Sequence, residues 1–411
     1  MKLTEQDITL WGNDIPWLAG LREKGMRAFT ATGLPTAKTE TWKYSFNAVG
    51  NMENLQIDTA PHECNGHCHH SEELPFAAYY IDFCNGKLQG EHFDLPRGVS
   101  VKPLVEAIYD GDAKSYLNKS FAVEKFPFAA LNAAYLEQGA MIVVERNTVL
   151  DKPIVIRYHA HKSQNLFCNI RNIIALEARA KAEIIEYIDI EESTCFHNAV
   201  NEIFLAADSI LKHYKLQKEG KTKYVSLNSV QQRSNSHYKC FVLQKENALA
   251  RHESYINLLQ EGACAEVDGA YRLNESGVSD ITTNIRHLAP HTTSNQLVKG
   301  VVAGKAKGVF QGQIHIAPDA QQTEGHQLHR ALLLSDEGEV DCKPELEIFA
   351  DDVKCSHGAT CGDLDKEQLF YMQSRGICME EARQILIEAY LQEVLNMIDN
   401  SEIAAWISKN L

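Results

Sequence analysis

From Gly139 onward the chain is a long succession of short β-type runs separated by similar turns, and few folds accommodate that pattern. The runs are Met141–Glu145, Ile154–Tyr158, Ile170–Leu176, Glu183–Asp189, Ile203–Leu205, Ile210–Leu216, Tyr238–Leu243 and Ser254–Leu258. They are rich in Val, Ile and Tyr and often alternate apolar with polar, the two-residue period of a strand. A small, polar turn returns between several of them: Glu177-Ala178-Arg179-Ala180, Ala206-Ala207-Asp208-Ser209, Lys245-Glu246-Asn247-Ala248, Glu261-Gly262-Ala263, Ala303-Gly304-Lys305-Ala306 and Ser335-Asp336-Glu337-Gly338. The intervals are irregular. Such recurrence predicts a solenoid of stacked β-coils, each burying its inward face against the next. A sandwich or a barrel also fits the spacing.

The two ends read differently. Residues from about 4 to 45 are expected to be helical, with Asp14 as an N-cap and Trp17, Leu18, Leu21, Met26 and Phe29 near the helical period. Gly33-Leu34-Pro35-Thr36 ends that helix, because Gly permits a left-handed cap and Pro cannot continue it. Trp42, Tyr44 and Phe46 then alternate, as in a short strand or docking arm. Residues 58–75 read as a polar loop, Ala77–Phe83 as strand, and 100–137 as helix again, interrupted by a loop from Lys119 to Phe128. Asp365 to Leu411 is expected to be helical. Asp365 and Gln368 have capping-box spacing, Arg375-Gly376 ends one helix, and Met379-Glu380-Glu381 begins a longer one. Its stripe of Ile385, Leu386, Ala389, Tyr390, Val394 and Ile398 either packs on the β core or receives a partner. The expected division is 1–138, an N-terminal mostly helical region; 139–360, the β core; and 361–411, a C-terminal helical domain.

Charge and cysteine usage narrow the function classes. The net charge of −15 disfavours a general nucleic-acid binder, whose affinity rests on cationic neutralisation of phosphates, and an anionic membrane surface. No run approaches the roughly 20 apolar residues of a membrane helix, and the opening MKLTEQDITLWGND has no signal-peptide core. The expectation is a cytoplasmic protein whose 11 scattered cysteines are mostly thiols.

Among the chemistry-bearing residues, Cys355 and His357 stand out. Two apart in an extended segment, they project to the same side with Ser356 opposite. Thiolate and imidazole together suit zinc, iron or iron–sulfur ligation. Two residues do not complete a site, so a second chain would supply the rest, or the pair is a buried Cys with a hydrogen-bonded His. Leu346 and Ile348 set one parity and Val353 and Cys355 the other, which predicts a bulge or corner near Asp351-Asp352. A denser cluster, His62, Cys64, His67, Cys68, His69 and His70, lacks the second ligand pair of a zinc ribbon or finger. His287 and His291 are separated by Pro290, which argues against a helical zinc pair and for a structural role. Gly220-Lys221-Thr222 mimics the end of a phosphate-binding loop, but Lys215 stands where its first Gly is required. No Gly-x-Ser-x-Gly elbow, His-Glu-x-x-His or marked carboxylate pair is present. Nothing here builds an enzyme site within one chain.

The string PELEIFADDVKCSHGAT followed by LDKEQLFYMQSRGI resembles the SufB/SufD family of iron–sulfur cluster assembly proteins. The resemblance continues through Arg286-His287-Leu288-Ala289-Pro290-His291, Lys299-Gly300-Val301, Phe310-Gln311-Gly312, Phe128-Ala129-Ala130-Leu131-Asn132, Gly33-Leu34-Pro35-Thr36 and Glu40-Thr41-Trp42-Lys43-Tyr44. Within the family the chain looks most like the SufD branch. The resemblance implies a mainly β fold, a right-handed β-helix (β-solenoid) flanked by N-terminal and C-terminal helical regions. It implies a non-catalytic subunit of a SufB–SufC–SufD scaffold. Such a subunit pairs with a SufB-like subunit through the β-helix and docks a SufC-like ABC ATPase on its C-terminal helices. It further implies that His357, with Cys355 beside it, helps accept iron or a nascent iron–sulfur cluster at the SufB–SufD interface. No cofactor is expected to be tightly bound in the isolated chain, and an unpaired β-helix edge favours a homodimer when the chain is alone. Alternatives are a SufB-type principal scaffold and a stand-alone metal-dependent enzyme using residues 62–70.

Overall fold

The structure, a computed structural model, describes residues 10–57, 74–90, 93–160, 164–190 and 194–411. From β4 onward successive strands alternate between two facing sheets, so that each strand pairs with the next but one. The first sheet contains β1 (Tyr79–Cys84), β2 (Lys87–Gln89), β5 (Ile154–His159), β7 (Lys181–Asp189), β9 (Ile210–Gln217), β11 (His237–Lys245), β13 (Cys264–Leu273), β15 (Thr293–Val302), β17 (Thr323–Leu333) and β19 (Val353–Gly362). The second contains β3 (Val99–Pro103), β4 (Ala140–Val144), β6 (Gln164–Leu176), β8 (Thr194–Leu205), β10 (Lys223–Gln232), β12 (Leu249–Leu258), β14 (Val278–His287), β16 (Lys307–Ile316) and β18 (Glu339–Ile348). This is a β-solenoid, as the recurrent runs and turns predict.

The turns recur because they stack. Arg179, Asp208, Asn235, Gly262, His291 and Gln322 all have φ between 53° and 76° and sit at successive corners. Each donates its backbone N–H to the neighbouring coil: Asp208 to Ser234 O at 2.9 Å, Asn235 to Glu261 O at 3.0 Å, His291 to Gln321 O at 3.0 Å. Asn, Asp and Gly tolerate the left-handed region best, and Asp208, Asn235 and Gly262 follow that preference; Arg179, His291 and Gln322 hold the same conformation with the same hydrogen bond. The irregular intervals reflect corner loops of different length. Along one column of the ladder, Tyr224, Ala250, Ser279, Gly308 and Val340 lie side by side, 26 to 32 residues apart.

Three apolar layers result. Inward-facing Ile, Val, Ala and Tyr side chains from both sheets fill the solenoid. Helix α1 (Pro16–Thr32) and α4 (Pro127–Ala134) cover the second sheet's outer face, where Phe128, Leu131 and Trp42 meet Phe167, Phe196, Val225 and Leu227. Helices α6 (Met379–Leu395) and α7 (Ser401–Lys409) cover the first sheet's outer face, where Leu391, Val394, Trp406 and Ile407 meet Ile185, Tyr187, Tyr214 and Phe241. No helix among the described residues is long and apolar enough to cross a membrane.

The terminal regions are less helical than their periodicity suggests. Ile15, not Asp14, precedes α1, and Pro16 opens it without a side-chain cap. Gly33 ends α1 at φ 67°, donating to Phe29 O, as expected. Trp42 lies in a short 3-10 turn rather than a strand, and Phe46 opens α2 (Phe46–Val49). Residues 100–137 hold a strand, β3, then α3 (Leu104–Tyr109) and α4, because β3 completes the second sheet against β4. At the other end Asp365 caps α5 (Lys366–Ser374), accepting from Glu367 N at 2.8 Å and Gln368 N at 3.2 Å.

Two inward glycines make room for one aromatic ring. A Cβ on Gly300 would lie 1.9 Å from Tyr271 Cζ, and one on Gly308 would lie 2.5 Å from Tyr271 Cε2. Tyr271 is fully buried and reaches His329 Nε2 through its hydroxyl at 3.0 Å. Gly300→Ala is therefore expected to lower stability by about 1–3 kcal/mol, the cost of overpacking a filled core. Thermal unfolding checks it, and an unchanged Tm contradicts this packing.

Candidate functional site at the open end of the solenoid

The two ends of the solenoid are built differently. The N-terminal end closes with short antiparallel strands, β2 on β1 and β3 on β4. The C-terminal end stops at β18 and β19, full ten-residue parallel strands that each pair on one side only among the described residues. Short strands blunt a sheet edge, whereas long unpaired ones offer their N–H and C=O groups to another chain.

Cys355 and His357 lie on β19 at this open end. In register, Cys355 pairs with Gly325, His357 with Gln327, Ala359 with His329 and Cys361 with Ala331 of β17. Gln327 and His329 are buried inside the solenoid, so by alternation Cys355, His357 and Cys361 share the inward face. Ser356 points the other way and meets His326 Nδ1 at 2.8 Å. The same-side reading of the pair therefore holds. The parity slip near Asp351-Asp352 is a corner and not a bulge: Leu346 and Ile348 belong to β18, Val353 and Cys355 to β19, and the β17–β19 ladder runs without a register shift.

Sequence spacing missed two further thiols. Cys361 lies six residues beyond Cys355, an even interval that marks the same face. Cys342 lies on β18, paired with the inward Phe310, and packs against the solenoid core. No local pattern connects it to β19. Burial pushes the Cys342 thiol up to about 12. Burial also raises Cys361 and Cys355, the latter opposed by a hydrogen bond from the Gly325 backbone. Cys355 is half-buried against Ile314, Ile316 and Ala350, while His357 is exposed. The open coil thus carries soft N and S side chains, types that suit zinc, iron or iron–sulfur ligation, with no three of them converged within ligating distance.

Residues 159–390 match the family described as the SUF system FeS cluster assembly, SufBD core domain, and residues 3–156 match the SufBD protein N-terminal region. The chain belongs to the SufBD family. It is 28% identical to the iron–sulfur cluster assembly protein SufD of Escherichia coli, over 90% of this chain and 87% of that protein. It is 29% identical to protein ABCI7, chloroplastic, of Arabidopsis thaliana, over 94% and 84%. A SufBD family protein of Synechocystis is 31% identical over 66% of this chain and 62% of its own length.

Two motifs of this SufBD chain dock the N-terminal region onto the solenoid. Trp42 is buried under the Arg251 guanidinium, 3.9 Å from its ring centroid, and Arg251 Nη2 donates to Thr41 O at 2.8 Å. Arg251 is itself held by Asp280 and by Glu253 Oε1 at 2.8 Å. Phe128 stacks on Phe196 and meets Trp42 at a 44° tilt, and Asn132 Nδ2 donates to Ile170 O at 2.9 Å. These family residues are structural anchors. His287 is likewise structural, bonded to Thr292 and Ser294 hydroxyls at 2.8 and 2.9 Å. Gly220-Lys221-Thr222 lies at a corner leading into β10, where Thr222 bonds Ile190 O at 3.0 Å. The cluster at 62–70 lies outside the described residues.

The SufBD solenoid also encloses a polar network. Glu186 Oε1 receives Lys215 Nζ at 2.7 Å and Asn201 Nδ2 at 2.7 Å, with His213 Nε2 at 2.8 Å. Glu186 Oε2 accepts from the Tyr158 hydroxyl at 3.0 Å. Burial opposes ionisation of Glu186, but Lys215 and His213 outweigh it and hold the carboxyl well below its usual range. Lys215→Met leaves that carboxylate buried without its cation, at an expected cost of about 3–5 kcal/mol. Equilibrium denaturation measures it, and a loss under about 1 kcal/mol would contradict an ionised pair.

Acid acts on the same interior. Burial pushes His197 down to about 3, with Lys215 adding to the shift, and it pushes His287 to about 3 and His329 to about 4. Unfolded, each binds a proton near 6.5. The unfolded state therefore holds more protons below that pH, and stability falls as pH drops through the window. Each histidine contributes roughly 1.4 kcal/mol per pH unit. Asp268, raised by burial to about 7, opposes them by one proton. A lower urea midpoint at about pH 5 than at about pH 7 is expected; an equal or higher one would contradict neutral buried histidines.

Proposed function

We propose that this chain is the SufD-type, non-catalytic subunit of a scaffold that assembles iron–sulfur clusters. The observation that carries the reading is the C-terminal coil: two long strands end the ladders with edges unpaired among the described residues, and β19 bears Cys355 and His357 on its inward face. A SufB-like solenoid stacked on β18 and β19 continues both ladders and supplies the missing ligands. Iron, or the nascent cluster, is the cargo held there, with His357 and Cys355 as this chain's ligands. When the chain is alone, a second copy satisfies the same edges and gives a homodimer.

The C-terminal helices dock a SufC-like ABC ATPase in this reading. Its support is where large apolar side chains stay exposed: Phe370, Tyr371, Met379 and Ile385 cluster on α5 and the start of α6, while Leu391 and Val394 on α6 are buried against the first sheet. The apolar stripe of α6 thus divides between core and surface. Ile348 and Phe349, also exposed, lie at the open coil. Movement of the ATPase pulls on helices seated on the first sheet and so reshapes the coil carrying His357. The functional division is 1–138, 139–360 and 361–411. ATP chemistry resides in the ATPase, and this subunit supplies ligands and position in the cytoplasm.

The test is co-purification of tagged chain with its SufB-like and SufC-like partners, with iron and acid-labile sulfide assayed on the eluate. His357→Ala is expected to leave the complex intact while lowering cluster loading roughly tenfold or more. Normal loading in both His357→Ala and Cys355→Ser, or a chain that elutes alone with a stoichiometric metal, refutes the reading.

A further inference from the structure

On the outer face of the first sheet, away from the open coil, three different ligand types meet. His237 opens β11 and Cys264 opens β13, and the parallel register sets them side by side; two residues on, Lys239 pairs with Glu266. His237 Nε2 lies 2.9 Å from Glu266 Oε1. The ligand atoms of His237, Cys264 and Glu266 all lie within 4.8 Å of one another, and all three residues are half-buried. Among the described residues they form the one group of three or more His, Cys, Asp or Glu side chains that converges in this way. The residues lie one coil apart in sequence, so no local motif reveals them.

The surroundings fix the carboxylate. Lys239 Nζ lies 3.3 Å from Glu266 Oε2 and 3.0 Å from Asp399 Oδ1, the latter in the turn between α6 and α7. One Glu266 oxygen is therefore anchored by a cation while the other faces His237. Partners of this kind orient a metal ligand from behind. An all-carboxylate cluster would suit a hard cation; a thiol, an imidazole and one carboxylate suit a borderline transition ion.

We propose that His237, Cys264 and Glu266 form a mononuclear site for a borderline divalent ion, Zn²⁺ or Fe²⁺. Three protein donors leave a position for water or an exchangeable ligand, unlike a closed structural site. Bonds of about 2.0–2.3 Å to the ion would draw together donors that the paired strands already hold within 4.8 Å of one another. Binding releases the Cys264 thiol proton and any proton on His237 to solvent. The site goes beyond cluster assembly at the open coil and does not depend on it. The competing account is a His237–Glu266 ion pair with a bystander thiol.

Co²⁺ titration of the reduced, metal-stripped full chain separates the two, because thiolate ligation gives a near-ultraviolet charge-transfer band. The band is expected to saturate at one equivalent in a Cys64→Ser/Cys68→Ser/Cys355→Ser background, which removes the thiols of residues 62–70 and one at the open coil. In that background Cys264→Ser abolishes it, and His237→Gln and Glu266→Gln weaken binding at least about tenfold. Circular dichroism verifies folding, and if Cys264→Ser misfolds, His237→Gln carries the test. A band that is absent from the background variant, or that survives Cys264→Ser or His237→Gln at full strength, overturns the site and leaves the ion pair.

Discussion

Everything in this molecule hangs on the parallel ladder between one coil and the next. A single coil of two strands and two corners cannot bury its inward face, and its backbone groups would be left to water. Stacked, the coils satisfy those groups continuously from β5 to β19 and from β4 to β18. The corners join the same scheme, since each left-handed corner residue donates to the coil beyond it. The cost of holding Arg179, Asp208, Asn235, His291 and Gln322 at positive φ is met by that hydrogen bond and by the coils it aligns.

A ladder must end somewhere, and the two ends differ. Short antiparallel strands finish one end, while the other stops at two ten-residue strands with bare edges. The last two strands carry Cys342, Cys355, His357 and Cys361, and exposed Ile348, Phe349, Phe370, Tyr371, Met379 and Ile385 lie at that end and on α5 and α6. Edge, thiol and imidazole side chains and apolar surface coincide, and all three are features that a partner chain would remove from water. That coincidence is why the assembly reading rests on the end of the solenoid rather than on any pocket.

The interior is polar where a simple solenoid would be oily. Glu186 and Lys215, with the Tyr158 hydroxyl and Asn201, form a buried network that runs on through Asn172 and Asn228, with His213 beside it. A buried ion pair adds little over well-packed apolar residues, but losing one member is costly. The network thus makes the fold intolerant of single changes and sensitive to acid. Toward the open end, the stack of Tyr271, Phe310 and His329 takes over as the filling of the core.

The recurrent β-runs and polar corners were legible from residue types alone, because strand alternation and left-handed corners each restrict which side chains fit. The Cys355–His357 pairing was legible for the same reason: residues two apart in a strand share a face. The Asp365 cap and the Gly33 stop are equally local and were equally readable. Helix lengths at the N-terminus were not, since periodicity cannot tell that β3 is needed to finish a sheet. Cys342 and the His237–Cys264–Glu266 group were invisible for a related reason. Strands one coil apart are neighbours in space but some thirty residues apart in sequence, and their register is set by corner loops of unequal length. Sequence by itself determined which residues face in and where the chain turns; only the stacked coils decided which inward and outward residues meet, because that depends on the lengths of the strand and corners between each pair.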